Sequence, residues 1–222
     1  MIDLRREGAV FVLTMRAGEN RFNRAFVTAL GAALDEVEGP GGPAALVTVG
    51  AEKFYSNGLD LTWLAGDGAS EGGAFIRDFL RLLGRVLALP LPTVAAINGH
   101  AYAGGGMLAL THDFRVMRAD RGYFCLPEAD IKLPFAPGMS AMIIAKLDPP
   151  VSRDLMLTGR RLGGQEAAAL RVVDEAVDAD QVLPRAIERA AALADKDRAT
   201  YQAIKRRMYA EAIGLLEAGA VG

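Results

Sequence analysis

The chain has 222 residues, of which 51% are hydrophobic and 23% are charged, and its formal net charge is −2. A chain of this length and composition buries a sizeable core, and its near-neutral charge excludes a general attraction to nucleic acid or to anionic membranes. The single cysteine, Cys125, excludes an intrachain disulfide and a cysteine-based zinc site.

The same features predict a cytoplasmic protein without a membrane or nucleic-acid partner. One lone cysteine is typical of a reducing compartment. Residues 1–13 lack the long apolar region of a signal peptide, and no apolar run approaches the ~20 residues that a membrane span needs. The last residues, Gly219–Gly222, do not form a peroxisomal signal.

The first half of the chain alternates short apolar runs with amphipathic segments of helical period. Strands are predicted at Ile2–Arg5, Ala9–Met15, Ala45–Val49 and Pro92–Ile97. Helices are predicted at 24–37, which the Gly- and Pro-rich residues 39–43 end, and at 74–89. The apolar runs without alternation are typical of strands buried on both faces.

The second half begins with a glycine-rich loop at 98–106 and ends in helices. A short helix is predicted at Met107–Thr111, and strands at Asp113–Arg118 and Tyr123–Leu126. Further helical segments are predicted at Ser140–Lys146, Arg153–Leu157, Gln165–Ala169 and from Leu183 to about Leu216. The repeated order of strand, strand and helix predicts an α/β protein with a buried sheet, formed as one domain of residues 1–222.

Residues Phe54–Leu61 form an irregular segment directly after a predicted buried strand. Such a loop leaves backbone N–H groups free to meet a ligand. Gly58 permits a turn with positive φ, and Asp60 can hold the loop by accepting hydrogen bonds from nearby amides. An ordinary connection from strand to helix, with Asp60 as a cap, would have the same sequence.

Residues Gly99–Met107 follow another predicted buried strand and lead into a short helix. Glycines remove side chains that would keep a ligand from the backbone, and a helix N-terminus offers free N–H groups with a partial positive charge. This combination suits an anion or a developing oxyanion, although tight packing of helix on strand would also need glycines. The spacing fits neither a dinucleotide-binding fingerprint nor a phosphate-binding Walker A loop.

Glu128 follows the apolar run Tyr123–Leu126. Partial burial would raise the pKa of its carboxyl toward values useful to a general base, whereas a solvated carboxylate at a strand end would have no such role.

The sequence lacks the residues that other catalytic chemistries require. The only histidines are His100 and His112, there is no G-x-S-x-G motif, and no cluster has metal-ligand spacing, so no metal site is predicted.

Taken together and in this order, the three segments resemble the crotonase (enoyl-CoA hydratase/isomerase) family. The resemblance covers roughly residues 2–210 and is densest over 92–135. It implies a spiral of ββα units, a homotrimer or dimer of trimers, and a C-terminal helical region at about 183–222 that serves trimerisation or acts as a lid. It also implies an acyl-CoA thioester substrate, in which coenzyme A is part of the substrate and no separate cofactor is needed.

By position, the resemblance assigns the two oxyanion-binding N–H groups to Leu59 and Gly105. Hydratases of this family use two glutamates, and one of them matches Glu128. The position of the other is occupied by Leu108, which cannot deprotonate water. The chain is therefore most similar to Δ3,Δ2-enoyl-CoA isomerases of the plant peroxisomal type, in which one glutamate moves a proton from C2 to C4.

The remaining predicted substrate contacts lie mainly near the first loop. They are Arg21, Lys53, Phe54, Ser56, Gly58, Asp60, Gly104 and Leu108. Arg21 and Lys53 could bind CoA phosphates through charge-assisted hydrogen bonds, or they could be solvated surface charges. Two other functions stay open: a hydratase or other acyl-CoA lyase that uses Asp113 or Asp130 for the missing glutamate, and a non-catalytic acyl-CoA-binding paralogue.

Overall fold

The computed structural model describes residues 1–39 and 41–221; Pro40, in the predicted helix-ending segment, and Gly222, the last residue of the predicted domain, lie outside this part. The strands are β1 (Ile2–Glu7), β2 (Val10–Met15), β3 (Ala45–Gly50), β4 (Phe54–Ser56), β5 (Thr93–Ile97), β6 (His100–Tyr102), β7 (Phe114–Arg118), β8 (Phe124–Cys125) and β9 (Glu175–Val177). The helices are α1 (Arg24–Glu38), α2 (Leu61–Ala65), α3 (Gly72–Leu87), α4 (Gly104–Thr111), α5 (Glu128–Ile131), α6 (Pro137–Lys146), α7 (Pro149–Thr158), α8 (Gly164–Ala169), α9 (Val182–Ala191), α10 (Arg198–Met208) and α11 (Ala210–Ala218). Among the described residues, no helix has both the length and the apolar composition needed to cross a bilayer.

Successive strands are distributed between two sheets. The larger sheet has the order β1-β2-β3-β5-β7-β9, and only its β1–β2 pair is antiparallel. The smaller sheet is β4-β6-β8, with both pairs parallel. Along the chain, β3, β5 and β7 of the larger sheet are each followed by one strand of the smaller sheet, β4, β6 and β8 respectively. A helix follows each of these pairs. The predicted α/β fold with repeated ββα units is confirmed.

The central strands of the larger sheet are buried on both faces. Side chains on one face of the sheet, such as Val47 and Val94, pack against α9. Side chains on the other face, such as Leu46 and Ile97, pack in the main core. Side chains point alternately to the two faces of a strand, so a strand covered on both sides needs apolar residues at every position. This explains why continuous apolar runs located these strands correctly.

The sequence prediction missed several short elements. Strands β4 and β6 have three residues each and lie inside segments predicted as loops, because three residues are too few to show a period. The segment predicted as helical from Leu183 to about Leu216 is three helices, α9, α10 and α11. Asp197 separates the first two by capping α10, where its side chain accepts a hydrogen bond from Thr200 N–H.

A buried ion pair ties the C-terminal helices to the larger sheet. Asp113, just before β7, accepts hydrogen bonds from Thr93, Tyr201 and Lys205, and its carboxylate lies 3.0 Å from Lys205 Nζ. The Lys205 side chain is only 4% exposed, and burial lowers its pKa. This cluster lies at the edge of the sheet where β5 and β7 begin.

Replacing Lys205 by Met should destabilise the protein by about 3–5 kcal/mol, because the Asp113 carboxylate would remain buried without its cation. Chemical denaturation of the variant would measure the loss. The double variant Lys205→Met, Asp113→Asn should recover much of the stability. Equal stability of the wild type and the single variant would contradict this account of the pair.

Candidate active site

The two glycine-containing loops meet because β4 and β6 are neighbours in the smaller sheet, with Ser56 paired to Ala101. Gly58 has φ +79°, and a Cβ atom there would lie only 3.0 Å from Tyr102 O. A Cβ atom on Gly105 would lie 2.2 Å from Ser56 O. The two backbones can approach this closely only because glycine has no side chain.

A cleft of about 970 Å³ opens where the loops meet. Its wall is predominantly apolar and includes Leu59, Leu61, Leu64, Ile76, Phe79, Tyr102, Gly104, Cys125, Glu128, Ile131, Leu133, Phe135 and Met139, together with Arg21 and Arg161. Four of the residues predicted from sequence therefore line one cavity: Arg21, Leu59, Gly104 and Glu128. An apolar cleft with a few convergent polar groups is the usual form of a small-molecule site.

Two backbone segments present N–H groups at this cleft. Phe22 N–H donates to Gly58 O at 2.8 Å, and Asp60 N–H donates to Phe22 O at 2.9 Å, so the intervening Leu59 N–H points to the opposite side of its strand. The first internal bond of α4 runs from Met107 N–H to Ala103 O at 2.9 Å. The glycine N–H groups ahead of it, beginning with Gly104, have no helical acceptor.

Glu128 is the first residue of α5 and is 8% exposed. Its Oε2 atom is buried and has no hydrogen-bond partner in the described part of the chain. Burial raises the pKa of this carboxyl to about 7. A group that titrates near neutrality can both accept and return a proton, and buried polar atoms without partners are rare enough to need a functional explanation.

Leu108 was predicted as a substrate contact, at the position of the second hydratase glutamate. Its side chain is 2% exposed and packs in the main core, and within residues 1–39 and 41–221 it is not part of the cleft wall. The Leu108 carbonyl accepts a hydrogen bond from His112 Nδ1 at 2.8 Å. His112 Nε2 then accepts from the Thr48 hydroxyl at 2.9 Å, and Thr48 accepts from the Tyr55 hydroxyl at 2.8 Å. Position 108 is thus part of the support beneath the site.

Several other predicted contacts also lie behind the wall. The Ser56 hydroxyl is buried and donates to Asn20 O at 2.7 Å. The Asp60 carboxylate caps α2 by accepting from Trp63 N–H at 3.0 Å. Gly58 and Gly105 are buried where the loops cross. These residues shape the loops, and in the structure they contact protein atoms.

Lys53 and Phe54 lie at the start of β4, and within the described residues neither lines the cleft. The Phe54 ring is 5.2 Å from the His100 ring, and Lys53 Nζ is 5.6 Å from the centre of the Phe54 ring. His100 also contacts Tyr102, which does line the cleft. A separate pocket of about 490 Å³ adjoins Lys53 and His100.

The two arginines of the cleft differ in their partners. Arg21 Nη2 lies 2.6 Å from Glu19 Oε2, which also accepts from the Asn57 amide. Arg161 has no carboxylate partner within the described part of the chain, and its guanidinium lies 5.9 Å from the centre of the Tyr102 ring. Sequence reasoning missed Arg161 because it sits next to Arg160 in a surface-like segment. No motif marks it.

Within the described residues, the two aspartates considered as substitutes for a second glutamate do not line the cleft. Asp113 is bound to Lys205 at the opposite edge of the larger sheet. Asp130 is exposed, and among the described residues it does not contribute to the cleft wall. No cluster of three or more His, Cys, Asp or Glu residues suited to a metal occurs in residues 1–39 and 41–221.

Comparison with known proteins gives consistent results. The family model described as enoyl-CoA hydratase/isomerase matches residues 5–219. Enoyl-CoA delta isomerase 3 of Arabidopsis thaliana is 37% identical over 95% of this chain and 93% of the relative. The peroxisomal enoyl-CoA delta isomerase 2 of the same plant is 34% identical, over 97% and 95%. The apo structure of an enoyl-CoA isomerase from Mycobacterium tuberculosis has a TM-score of 0.88 at 27% identity, covering 98% of this chain and 95% of that one.

Proposed function

Because the chain belongs to the enoyl-CoA hydratase/isomerase family, we propose that it isomerises 3-enoyl-CoA to 2-enoyl-CoA. The observation that carries this proposal is a lone buried carboxylate, Glu128, in a predominantly apolar cleft. Within the described residues, Glu128 is the only acid on the cleft wall. One acid that can take up and release a proton is sufficient for isomerisation, whereas the two-glutamate hydration chemistry would need a second carboxylate.

The thioester carbonyl would be held by backbone N–H groups. We assign them to Leu59 and to the N-terminal glycines of α4, Gly104 and Gly105. Leu59 and Gly104 line the cleft, and neither glycine N–H has a helical acceptor. Removing a proton from C2 places negative charge on the thioester oxygen. Preorganised donors stabilise that charge without reorganising, and one such donor typically lowers the barrier by about 3 kcal/mol.

Glu128 would carry the proton in both steps. Its carboxylate takes a proton from C2, and the electron pair moves into a dienolate that extends from the thioester oxygen to C4. The protonated Glu128 then returns the proton at C4, which leaves the double bond between C2 and C3, conjugated to the thioester. Apolar side chains make up most of the wall around Glu128, and a bound acyl chain would displace water from it.

The direct test is to incubate the purified protein with 3-hexenoyl-CoA and follow the ultraviolet absorbance of the conjugated 2-enoyl thioester. Addition of water to 2-hexenoyl-CoA, followed by loss of the same absorbance, measures hydratase activity in parallel. The proposal requires the first activity to exceed the second. Faster hydration would favour a hydratase, and tight binding of both thioesters without turnover would favour a non-catalytic binding protein.

The activity should depend on pH through Glu128. Since burial raises its pKa to about 7 and the carboxylate is the active form, kcat/KM should be half-maximal at about pH 7 and fall about tenfold for each pH unit below that. The initial rate, measured across pH at a substrate concentration well below KM, reports kcat/KM directly. A midpoint near 4.5, the ordinary value for a glutamate, would contradict the assignment.

Arg161 and Arg21 are the cations available to the CoA phosphates at this cleft. We propose Arg161 as the stronger contact, because Glu19 already neutralises Arg21. Arg161→Ala should raise KM for 3-hexenoyl-CoA more than Arg21→Ala does. The trimeric or hexameric assembly and the cytoplasmic location stay predictions.

A further inference from the structure

A second pocket, of about 420 Å³, adjoins the cleft at Glu128. The two cavities share four wall residues: Glu128, Leu133, Pro134 and Phe135. The remaining wall of the second pocket consists of Ala129, Lys132, Ser140 and Met156. The cavities are therefore neighbours across the segment 133–135, and Glu128 belongs to both walls.

The two cavities differ in the residues that line them. Leu59, Gly104 and the two arginines line only the cleft. Because Glu128 belongs to both walls, a chain that passes from the proposed oxyanion donors to Glu128 can continue into the second pocket. In a 3-enoyl thioester, C1 lies at the donors, and both C2 and C4 must come within reach of one carboxylate. The carbons beyond C4 then continue on the side of Glu128 that is remote from C1.

The wall of the second pocket suits a hydrocarbon chain. Leu133, Pro134, Phe135 and Met156 give it apolar surface, and a methionine side chain adapts readily to the shape of its neighbours. Leu133 is 42% exposed, as is Ile131 on the adjacent wall of the cleft. Covering such exposed apolar side chains removes them from water, which favours binding of an aliphatic ligand.

We propose that this second pocket holds the acyl carbons beyond C4 and thereby sets the preference for chain length. The proposal rests on the isomerase function, which fixes C2 and C4 beside Glu128. The competing location for the tail is the apolar wall of the cleft near Leu64 and Ile76. The two locations predict opposite results when either one is filled by a large side chain.

The test compares Met156→Trp, which fills the second pocket, with Leu64→Trp, which fills the competing location. The readout is the ratio of kcat/KM for 3-decenoyl-CoA to that for 3-butenoyl-CoA, whose chain ends at C4. Met156→Trp should lower this ratio at least tenfold, and Leu64→Trp should change it less than twofold. A ratio lowered by Leu64→Trp and unaffected by Met156→Trp would overturn the proposal.

A second variant and a binding measurement separate this proposal from the isomerase function. Ser140→Phe fills the same pocket from another helix and replaces Met156→Trp if the latter does not fold, as judged by circular dichroism. Calorimetry with the saturated thioesters decanoyl-CoA and butyryl-CoA needs no turnover. If the wild type shows no isomerisation, the proposed reaction fails. A tenfold loss in relative affinity for decanoyl-CoA would still support the pocket, and an unchanged relative affinity would overturn it.

Discussion

Replacing Glu128 by Gln should lower kcat for isomerisation about 10²- to 10⁴-fold, the usual contribution of a positioned acid/base. The amide has nearly the same shape and cannot carry a proton between C2 and C4. The measurement is the rate of formation of the conjugated thioester from 3-hexenoyl-CoA. Asp130→Asn, an exposed carboxylate in the same helical turn, is the matched control and should keep the wild-type rate.

The same variant should also be more stable than the wild type at high pH. Burial raises the pKa of Glu128 from 4.5 to about 7, so the folded state favours the protonated form, and ionisation costs stability as pH rises from about 4.5 to 7. A shift of this size corresponds to about 3 kcal/mol. Gln avoids this cost, so the stability gain of the variant should grow across that interval and then level off.

Chemical denaturation at pH 4.5 and pH 8 would show this difference. We expect Glu128→Gln to lose activity and to gain stability at pH 8, because the wild-type carboxylate is ionised there in an apolar environment that its catalytic role requires. A variant that retained the wild-type rate would remove Glu128 from the mechanism. A variant with lower stability at both pH values would instead indicate a structural role for the carboxylate.

Gly105→Ala should lower both the stability and the activity of the protein. The new Cβ atom would lie 2.2 Å from Ser56 O and 2.8 Å from Ser56 Cβ, so β4 and α4 would have to separate. Overpacking of this kind typically costs about 1–3 kcal/mol of stability. The Leu59 and Gly104 N–H groups, which belong to the two separated segments, would lose their spacing, and loss of one oxyanion donor lowers kcat about 10²- to 10³-fold.

Gly31→Ala provides the control for this substitution. Gly31 lies within α1, where a Cβ atom would meet nothing within 4 Å, so the change should stabilise the protein by about 0.5–1 kcal/mol. Thermal unfolding and kcat would be measured for both variants. Wild-type stability and kcat in Gly105→Ala would show that the close contact with Ser56 does not hold the two donors in place.

The family and the larger sheet could be predicted from sequence because their signals are local and repeated. Long apolar runs such as Ala45–Val49 mark buried strands directly, and the match to the enoyl-CoA hydratase/isomerase family confirms the resemblance seen in the two loops and the acidic segment. Helices of several turns, such as α1 and α3, were located by the spacing of their apolar residues.

The wall of the cleft could be predicted only in part, because it depends on contacts between distant segments. Leu108 was predicted as a substrate contact because the resemblance places the second hydratase glutamate at this position, but the direction in which a helical side chain points depends on where α4 begins. The helix starts at Gly104, and Leu108 then faces the core. Arg161 reaches the cleft because Leu162 bridges to Phe124, a pairing without a sequence motif.

The hydrogen-bonded series from Tyr55 through Thr48 and His112 to Leu108 has a consequence for how the molecule opens. It joins β3, β4 and α4 beneath the cleft, and burial holds the pKa of His112 at about 3, so that the ring stays neutral. Breaking any one bond would leave a buried polar atom without a partner. The segments that carry the two N–H donors are therefore expected to unfold as one cooperative unit, even though the loops themselves would otherwise be free to fluctuate separately.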